Sequence, residues 1–434
     1  MNLKNRQICL KLLQKSLTSH SFANEIISNY YNNSNLDQSS RKNISNMVLG
    51  VIRMQGRYDY ILSDIYNGDY DNIKLILKNI LRLGCYQIDR MDSIPNHAAV
   101  STSVEITKKN IFGYQKLVNA LLRKYINIKD DYDLDLNDLN SFKLLSHPSW
   151  IINKWIEDFG TKKTIEICNY NNNNPDIWFR INGPNSRQDI IHYIKKMKIN
   201  FKFHEIDDSF FKVSSASNLI DSNYFRDGLV TIQTPLNGLI VKLLDPKNSD
   251  IIIDGCSAPG GKGTFISSIA PTANIYSIDN DKKRFKKLLN SIERHKIKNI
   301  KPLILDMISD KLPLANKILI DVPCSGTGVI NRRADLRWRK KLIDIEKSSV
   351  IQYNILDNAS KFLSEKGVLV YSTCSIEKEE NFKIIDKFLS KNKNFIIEDA
   401  TNFVNKKVVK NNAIDILPGE YNLDGGFAVR LKKV

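Results

Sequence analysis

The pattern of apolar and polar positions changes character along the chain, and the N-terminal part is helical. Strand-like alternation of apolar and polar residues is absent from residues 1–126. Apolar residues recur there at helical spacing through four segments, 44–66, 73–88, 98–109 and 114–126. The pattern therefore predicts an all-α domain over 1–126.

A second change of pattern follows at an acidic, low-complexity stretch, residues 130–140. This composition is typical of a solvated connector, and we place a linker at 127–140. The next segment, 141–228, mixes periodicities and predicts a small α+β domain. Its predicted elements are a helix at 149–159, a strand at 177–182 and a helix at 186–197.

In the remaining segment, 229–434, short apolar strands alternate with amphipathic helices. The predicted strands are 251–254, 274–279, 302–306, 317–321 and 368–371. This order predicts an α/β domain with a doubly wound, mostly parallel sheet. Four of the strands end in an acid, Asp254, Asp279, Asp306 and Asp321. Since such sheets bind ligands at the carboxyl ends of their strands, these carboxylates are expected around one crevice.

The amino-acid composition is strongly basic. The 434 residues carry a formal net charge of +17, with a pI near 9.4. A positive field favours a polyanionic partner such as nucleic acid. The chain is also rich in Lys, Asn and Ile throughout, a bias that an AT-rich coding sequence produces without any binding surface. The charge therefore supports a nucleic-acid partner without establishing one.

Cysteine spacing and hydropathy exclude several classes. The six cysteines form no close Cys-x-x-Cys pair, so we expect neither a metal site nor a disulfide framework. The sequence has neither an apolar run of membrane-spanning length nor a signal-peptide core. A transit peptide is considered because the first acid is Glu25, but Ile8, Leu12 and Leu13 continue a helical pattern. We expect no membrane association and a cytoplasmic location.

A glycine-rich turn, Gly255-Cys-Ser-Ala-Pro-Gly-Gly-Lys-Gly263, follows the first strand of the α/β domain and precedes a predicted helix at 264–270. Its glycines lack the Gly-x-Gly-x-x-Gly spacing of NAD sites. A P-loop would need Gly at position 256 and a hydroxyl at 263, where this chain has Cys256 and Gly263. S-adenosylmethionine has no phosphate and remains compatible, with Asp279 at the next strand end as a ligand of its ribose.

Two cysteines lie where strands run out into loops, Cys324 in Asp321-Val-Pro-Cys-Ser-Gly and Cys374 in Ser-Thr-Cys-Ser. A thiolate that adds to C6 of cytosine makes C5 able to accept a methyl group from a sulfonium. This chemistry needs a nucleophilic cysteine and an acid that holds N3 as negative charge develops. Cys374 and Asp321 suit these two roles, although single cysteines are more often small buried hydrophobes.

A run of arginines after the first of these motifs is a candidate RNA contact. Its members are Arg332, Arg333, Arg337 and Arg339. An unstacked base needs a basic channel, which such a run can supply. The alternative, an ordinary solvated helix start, has equal weight.

The motifs Cys256-Ser-Ala-Pro-Gly-Gly-Lys262, Asp321-Val-Pro-Cys-Ser-Gly326 and Ser372-Thr-Cys-Ser375 resemble the signature of the RNA cytosine-5 methyltransferases of the NOL1/NOP2/Sun family. The resemblance implies a Rossmann-like class I methyltransferase fold over 229–434. It implies that Cys374 is the nucleophile and that Cys324 assists release of the methylated RNA. The implied cofactor site consists of Cys256, Ser257, Ala258, Pro259, Gly260, Gly261, Lys262, Asp279, Asp306 and Asp321.

The resemblance extends to the other domains. Asn96-His-Ala-Ala-Val100 and Leu117-Val-Asn-Ala-Leu-Leu-Arg123 resemble a NusB-type helical RNA-binding domain. Further segments resemble the bacterial 16S ribosomal RNA enzymes of the family, namely His147-Pro-Ser-Trp150, Trp178-Phe-Arg-Ile-Asn182 and Asp424-Gly-Gly-Phe427. The family usually has Ala at Ser257, a hydroxyl at Gly263 and Gln-Asp at Gln233-Thr234. None of these departures removes a reacting group.

Together these features predict a monomeric, S-adenosylmethionine-dependent enzyme that methylates C5 of a cytosine in 16S ribosomal RNA. A transfer-RNA methyltransferase of the same family is one alternative, and a non-catalytic RNA-binding assembly factor is another. Retention of both Cys324 and Cys374 argues against the second. DNA methylation is less compatible, because those enzymes take their nucleophile from the Pro-Cys motif and do not need Cys374.

Overall fold

The computed structural model describes residues 2–183 and 186–434, which form two compact units. The first unit runs to Asn174 and includes the later segment Ile330–Lys341. The second comprises Pro175–Val329 and Leu342–Val434. The predicted segment 141–228 is thus shared between the two units, since residues 141–174 pack with the N-terminal helices.

The helices of the described residues are, in chain order, α1 (Leu3–Thr18), α2 (Ala23–Asn32), α3 (Gln38–Ile65), α4 (Leu75–Arg90), α5 (Asn96–Asn110), α6 (Gln115–Ile128), α7 (Ser149–Phe159), α8 (Thr161–Asn172), α9 (Arg187–Lys196), α10 (Ala216–Ile220), α11 (Asn223–Arg226), α12 (Pro235–Leu244), α13 (Gly261–Ile269), α14 (Lys282–Arg294), α15 (Leu336–Arg339), α16 (Leu342–Lys361) and α17 (Phe382–Lys391). The four helical segments predicted within 1–126 are confirmed as α3 to α6. The helices predicted at 149–159 and 186–197 are confirmed as α7 and α9.

The strands are β1 (Trp178–Ile181), β2 (Phe201–Phe203), β3 (Phe210–Val213), β4 (Val230–Ile232), β5 (Ile251–Gly255), β6 (Asn274–Ile278), β7 (Ile300–Leu303), β8 (Ala315–Asp321), β9 (Leu363–Thr373), β10 (Phe395–Glu398), β11 (Val409–Lys410), β12 (Ala413–Ile416) and β13 (Gly426–Lys433). They form two sheets, both within the second unit.

The first unit is a helical bundle around one apolar core. Buried side chains of α1, α3, α4 and α6 share this core, for example Leu13, Ile52, Leu81 and Leu122. Ala334 of the later segment Ile330–Lys341 also belongs to it. The NusB-like, all-α prediction for the N-terminal part is confirmed.

The α+β part of the second unit contains a small antiparallel sheet. Its strand order is β2-β3-β1-β4. Phe179 on β1 and Phe211 on β3 are directly opposite each other and stack with ring centroids 5.8 Å apart. With Ile190 and Ile194 of α9, these rings form a separate core. Such cross-strand aromatic pairs stabilise antiparallel sheets.

The large sheet has the strand order β11-β12-β13-β9-β8-β5-β6-β7, and β10 also pairs with β13. The pairs β5–β6, β6–β7, β5–β8 and β8–β9 are parallel, whereas β13 is antiparallel to β9. The central run Ile251-Ile-Ile253 is largely buried, as expected for a strand covered on both faces. The doubly wound, mostly parallel sheet is therefore confirmed, and with it the Rossmann-like fold class.

Two predicted boundaries are wrong by two or three residues. The strand predicted at 302–306 is β7, which ends at Leu303 because its ladder with β6 ends there. Asp306 consequently lies in the following loop. The helix predicted at 264–270 begins earlier, at Gly261. Gly260 precedes it at φ +97°, a left-handed conformation that glycine adopts without steric cost.

Residues 2–183 and 186–434 contain neither a candidate membrane span nor a candidate metal-ion cluster. None of their helices is both long and apolar enough to span a membrane. These residues also contain no group of three or more His, Cys, Asp and Glu side chains that could hold a metal ion.

Candidate active site

The candidate site lies where the order of strands reverses. After β5, the strands β6 and β7 are added on one side of β5 within the sheet. The chain then returns to form β8, which pairs with β5 on its other side. Gly255 of β5 is in register with Ile278 of β6 and with Ile320 of β8. The loops after β5, β6, β8 and β9 therefore meet at one edge, which is the usual ligand crevice of such sheets.

The glycine-rich loop after β5 is fixed by hydrogen bonds to the end of β6. The Ser257 amide donates to the Ile278 carbonyl oxygen at 2.9 Å. The Ala258 amide donates to Asp279 Oδ2 at 3.0 Å, and Asp279 is only 2% exposed. From the first turn of α14, Arg284 Nη2 donates to the Ala258 carbonyl oxygen at 2.6 Å. Asp279 therefore shapes the loop, whatever else it binds.

Lys262 and Asp321 join the glycine loop to β8. Lys262 Nζ lies 2.6 Å from Asp321 Oδ2. The lysine side chain is 9% exposed, whereas that of Asp321 is 35% exposed. Asp321 Oδ1 accepts a hydrogen bond from Ser372 Oγ of β9 at 3.2 Å. The carboxyl group is thus oriented from two sides and still faces the crevice.

Asp254 lies beneath the loop and is fully buried. Burial raises the pKa of Asp254 to about 7, and the nearby Lys262 only partly offsets this rise. Asp254 Oδ1 and Ser257 Oγ are both buried without a hydrogen-bond partner among the described residues. Buried polar atoms are normally satisfied, so this pair indicates a place where a ligand or water completes the site.

The glycine at position 263, where the family usually has a hydroxyl residue, is explained by the same carboxyl group. A Cβ atom at Gly263 would lie 2.5 Å from Asp254 Oδ2 and 2.9 Å from Ser277 Oγ. Ser277 Oγ is itself a hydrogen-bond donor to Asp254, at 3.3 Å. A larger residue would have to displace this pair.

The two candidate thiols are adjacent. Cys324 Sγ and Cys374 Sγ are 3.0 Å apart, and both side chains are partly exposed. Parallel pairing aligns Asp321 of β8 with Ser372 of β9, so the loops that carry the thiols leave the sheet side by side. The hydrogen bond with Cys374, together with burial, raises the pKa of Cys324 well above its usual range.

A buried polar network locks these two loops together, and it was not predicted from the sequence. The Glu380 carboxylate accepts from the Ser325 amide at 2.8 Å and from Gln352 Nε2 at 2.9 Å. It also accepts from Ser325 Oγ, which in turn lies 3.1 Å from Ser375 Oγ. Ser325 and Ser375 each follow one of the thiols, so Glu380 fixes the spacing between them.

The predicted Asp424-Gly-Gly-Phe427 motif supports the Cys374 loop from behind. The Gly328 amide donates to the Cys374 carbonyl oxygen at 3.0 Å, and the Gly425 amide donates to the Gly328 carbonyl oxygen at 2.8 Å. A Cβ atom at Gly328 would lie 2.1 Å from the Gly425 oxygen. The glycines are therefore required by the close approach of two backbones.

Two of the predicted cofactor residues, Asp306 and Cys256, have contacts or conformations that shape their own loops. Asp306 is half-buried after β7, and its Oδ1 accepts from the Ile308 amide at 2.9 Å, which closes a local turn. Cys256 adopts φ +56° at the start of the loop, and burial raises the pKa of its thiol. Because the thiolate is the reactive form, this raised pKa makes Cys256 a poor nucleophile.

The arginine run requires a correction. Arg337 is fully buried within the first unit. Its guanidinium donates to the Ser146 carbonyl oxygen at 3.0 Å, the Asn171 carbonyl oxygen at 2.9 Å and Asn172 Oδ1 at 2.7 Å. Burial of this kind removes Arg337 from the residues that RNA can contact. The sequence could not reveal it, because the partners lie far away along the chain.

Arg339 is also held by hydrogen bonds within the first unit, whereas Arg332 and Arg333, at the start of the run, are more exposed. Arg339 Nε donates to Asp335 Oδ2 at 2.9 Å, and its Nη2 donates to the Ser16 and Ser21 carbonyl oxygens, both at 2.7 Å. Arg332 is half-buried and Arg333 is exposed. Of the four predicted arginines, Arg333 is therefore the best placed for contact with RNA.

The strand order, the glycine loop at the switch point and the thiols at neighbouring strand ends define the class of Rossmann-like methyltransferases. Three family models match the chain: "16S rRNA methyltransferase RsmB/F" over 241–432, "NusB family" over 3–127, and "Methyltr_RsmF/B-like, ferredoxin-like domain" over 147–218. The chain is therefore similar to the RsmB/F 16S rRNA methyltransferases in its C-terminal part and to the NusB family in its N-terminal part.

Ribosomal RNA methyltransferases from bacteria match this chain along most or nearly all of its length. The "Probable ribosomal RNA small subunit methyltransferase B" of Bacillus subtilis (strain 168) is 26% identical over 442 residues, covering 99% of this chain and 98% of the relative. The "Ribosomal RNA small subunit methyltransferase B" of Enterobacter sp. (strain 638) is 28% identical over 402 residues, covering 90% of each chain. The crystal structure of PH0851 shares the fold, with a TM-score of 0.79, 22% identity and coverage of 100% of this chain and 99% of that one.

Proposed function

We propose that this methyltransferase transfers the methyl group of S-adenosylmethionine to C5 of a cytosine in 16S ribosomal RNA, through a transient bond between Cys374 Sγ and C6 of the base. The observation that carries the proposal is the pair of sulfur atoms 3.0 Å apart at the ends of β8 and β9, next to a crevice-facing Asp321. Methylation at an exocyclic nitrogen or a ribose hydroxyl would need neither thiol.

The residues of the glycine loop suit the cofactor. The unpartnered Asp254 Oδ1 and Ser257 Oγ mark a polar position at the end of β5. Asp279 uses its two oxygens for the Ala258 and Asp281 amides, at 3.0 and 3.1 Å, and each oxygen retains a lone pair for a ribose hydroxyl. When bound there, the cofactor supplies an electrophilic methyl group.

The remaining steps of the reaction are assigned to side chains of this protein. The Cys374 thiolate forms a bond to C6, and the electrons of the C5=C6 double bond move towards N3 and C5. Asp321 holds N3, and Lys262, whose Nζ lies 2.6 Å from Asp321 Oδ2, can supply the proton that neutralises the developing charge there. C5 would then take the methyl group as the bond between that carbon and the sulfonium sulfur breaks, which leaves a thioether. Loss of the C5 proton to solvent, return of the N3 proton to the Asp321–Lys262 pair and cleavage of the C6–Sγ bond restore the aromatic ring and the thiolate.

The two thiols need different protonation states, and their proximity supports such a division. Two adjacent thiols resist simultaneous ionisation because like charges repel. The raised pKa of Cys324, caused first by its hydrogen bond with Cys374, keeps this thiol protonated. The family resemblance assigns the attack to Cys374, and Cys324 then remains beside the C6–Sγ bond to assist its cleavage.

Substitution of Asp279 tests the cofactor site. Asp279→Ala removes the acceptor of the Ala258 amide and the proposed ribose ligand, so we expect S-adenosylmethionine to bind about ten- to hundredfold more weakly, or about 1.5–3 kcal/mol. Isothermal titration calorimetry measures this directly. Asp279→Asn keeps one acceptor and should lose less affinity. An unchanged dissociation constant for the alanine variant would contradict the assignment.

Bisulfite sequencing tests the reaction and its substrate. In RNA from cells that carry the gene, we expect a 16S cytosine resistant to deamination that becomes sensitive when the gene is deleted. Plasmid-borne wild type should restore the resistance. Loss of resistance in transfer RNA, with 16S RNA unchanged, would reassign the substrate, and no change in any RNA would contradict a cytosine-5 activity.

A further inference from the structure

A second cationic surface, which the arginine run did not indicate, follows β6 along α14. Residues 282–301 contain nine Lys and Arg against one acid, Glu293. The whole chain, by comparison, has 64 Lys and Arg against 47 Asp and Glu. The longer helix α16 carries two basic and three acidic residues. The lysine-rich composition of the whole chain therefore does not explain the excess of basic residues in 282–301.

The cations of residues 282–301 fall into two groups. The first has partners: Arg284 lies 3.6 Å from Asp279, Lys296 lies 3.3 Å from Asp227, Arg294 donates to the Phe225 carbonyl oxygen at 2.8 Å, and Lys301 Nζ lies 5.5 Å from the centroid of the Tyr276 ring. The second group is exposed and forms no salt bridge within residues 2–183 and 186–434. It consists of Lys282, Lys283, Lys286, Lys287 and Lys298. Asp281, which caps the helix, is the carboxylate that interacts with Lys283, and the group as a whole keeps an excess of positive charge.

The helix is anchored at the edge of the candidate site. Asp281 caps its N-terminus by accepting from the Lys283 and Arg284 amides, at 2.8 and 3.0 Å. On the buried face, Leu288 packs so closely on the glycine loop that a Cβ atom at Gly260 would lie 2.8 Å from Leu288 Cδ1. The opposite face, with its lysines, is exposed on a helix that packs directly against the glycine loop of the candidate site.

We infer that the exposed lysine face of α14, formed by Lys282, Lys283, Lys286 and Lys287, binds the phosphate backbone of the ribosomal RNA that flanks the target cytosine. The inference rests on the proposed function for the identity of the polyanion. Successive positions lie one, three and one residues apart, so the four side chains lie on one side of the helix over about 7.5 Å of its length. Lysines of this kind bind phosphates as point charges and do not read base sequence.

The test is the salt dependence of binding to a 16S rRNA fragment. The variant Lys282→Gln/Lys283→Gln/Lys286→Gln/Lys287→Gln is compared with a control that loses four exposed lysines elsewhere in the second unit, Lys195→Gln/Lys196→Gln/Lys406→Gln/Lys407→Gln. Each lost phosphate contact lowers the log–log slope by about 0.7 for single strands, so the α14 variant should lose up to about 2.8. The control should keep the wild-type slope.

Equal slopes for the α14 variant and wild type would overturn the inference. Unchanged binding to naked RNA, with weaker binding to small-subunit particles, would assign the face to a protein and overturn it as well. If the fourfold variant melts at a lower temperature, Lys286→Gln/Lys287→Gln replaces it, with an expected loss of about 1.4 in slope. Methylation by wild type in the same preparation is measured separately, so a failure of the proposed function is recognised independently.

Discussion

Replacement of Cys374 by alanine is expected to abolish methyl transfer while S-adenosylmethionine still binds. The thiolate adds to the base and does not touch the cofactor, so its removal eliminates the step that makes C5 nucleophilic. Losing a covalent nucleophile should lower the single-turnover rate at least about 10⁴-fold, or about 5.5 kcal/mol of transition-state stabilisation. Cofactor affinity should stay within about twofold of wild type.

Rapid-quench methylation and calorimetric titration of the cofactor, side by side, measure both quantities. Cys168→Ala is a matched control, because it removes a sulfur from a buried cysteine of the first unit and should leave the rate near that of wild type. Residual activity of Cys374→Ala within about tenfold, a loss of only about 1.4 kcal/mol, would mean that another residue is the nucleophile.

Cys324→Ser is expected to have the opposite effect on the intermediate. If Cys324 assists cleavage of the C6–Sγ bond, the variant still attacks and methylates the base but stalls as a protein–RNA adduct. This adduct should survive denaturing electrophoresis and account for most of the enzyme at saturating RNA. The serine keeps the polar character of the position, so the 3.0 Å neighbourhood of Cys374 is altered as little as possible.

The companion variants give this prediction its controls. Cys374→Ser and the double variant lack the attacking thiol and should form no adduct. If the adduct forms in the Cys374 variant and is absent from the Cys324 variant, the two roles are reversed. The chemistry would then resemble that of the DNA methyltransferases. Absence of the adduct from every variant would leave the release role without support.

The fold could largely be predicted because its signals are local. Alternation of short apolar strands with helices in residues 251–371 is sufficient to indicate a doubly wound sheet. The end of β7 is not a local property, because it is set by the ladder with β6, and Asp306 was misplaced for this reason. The early start of α13 likewise depends on the left-handed conformation of Gly260.

The same distinction applies to the site. Cys324, Cys374, Asp321 and the glycine loop could be found because each follows a strand directly. Glu380 lies in a charged run that resembles a solvated surface, and only tertiary packing reveals that it is fully buried. Arg337 was misjudged in the same way, since its position in an arginine run suggested exposure and it is fully buried. Burial of a charged residue depends on distant partners, which periodicity does not report.

The most direct test of the account is the location of the covalent bond in the stalled adduct. The Cys324→Ser adduct is isolated under denaturing conditions, digested with nuclease and protease, and analysed by tandem mass spectrometry. We predict one modified peptide, in which the sulfur of Cys374 carries a cytidine nucleotide that has already gained its methyl group. A nucleotide on any other residue, or one without the methyl group, would contradict the proposed division of labour between the two thiols.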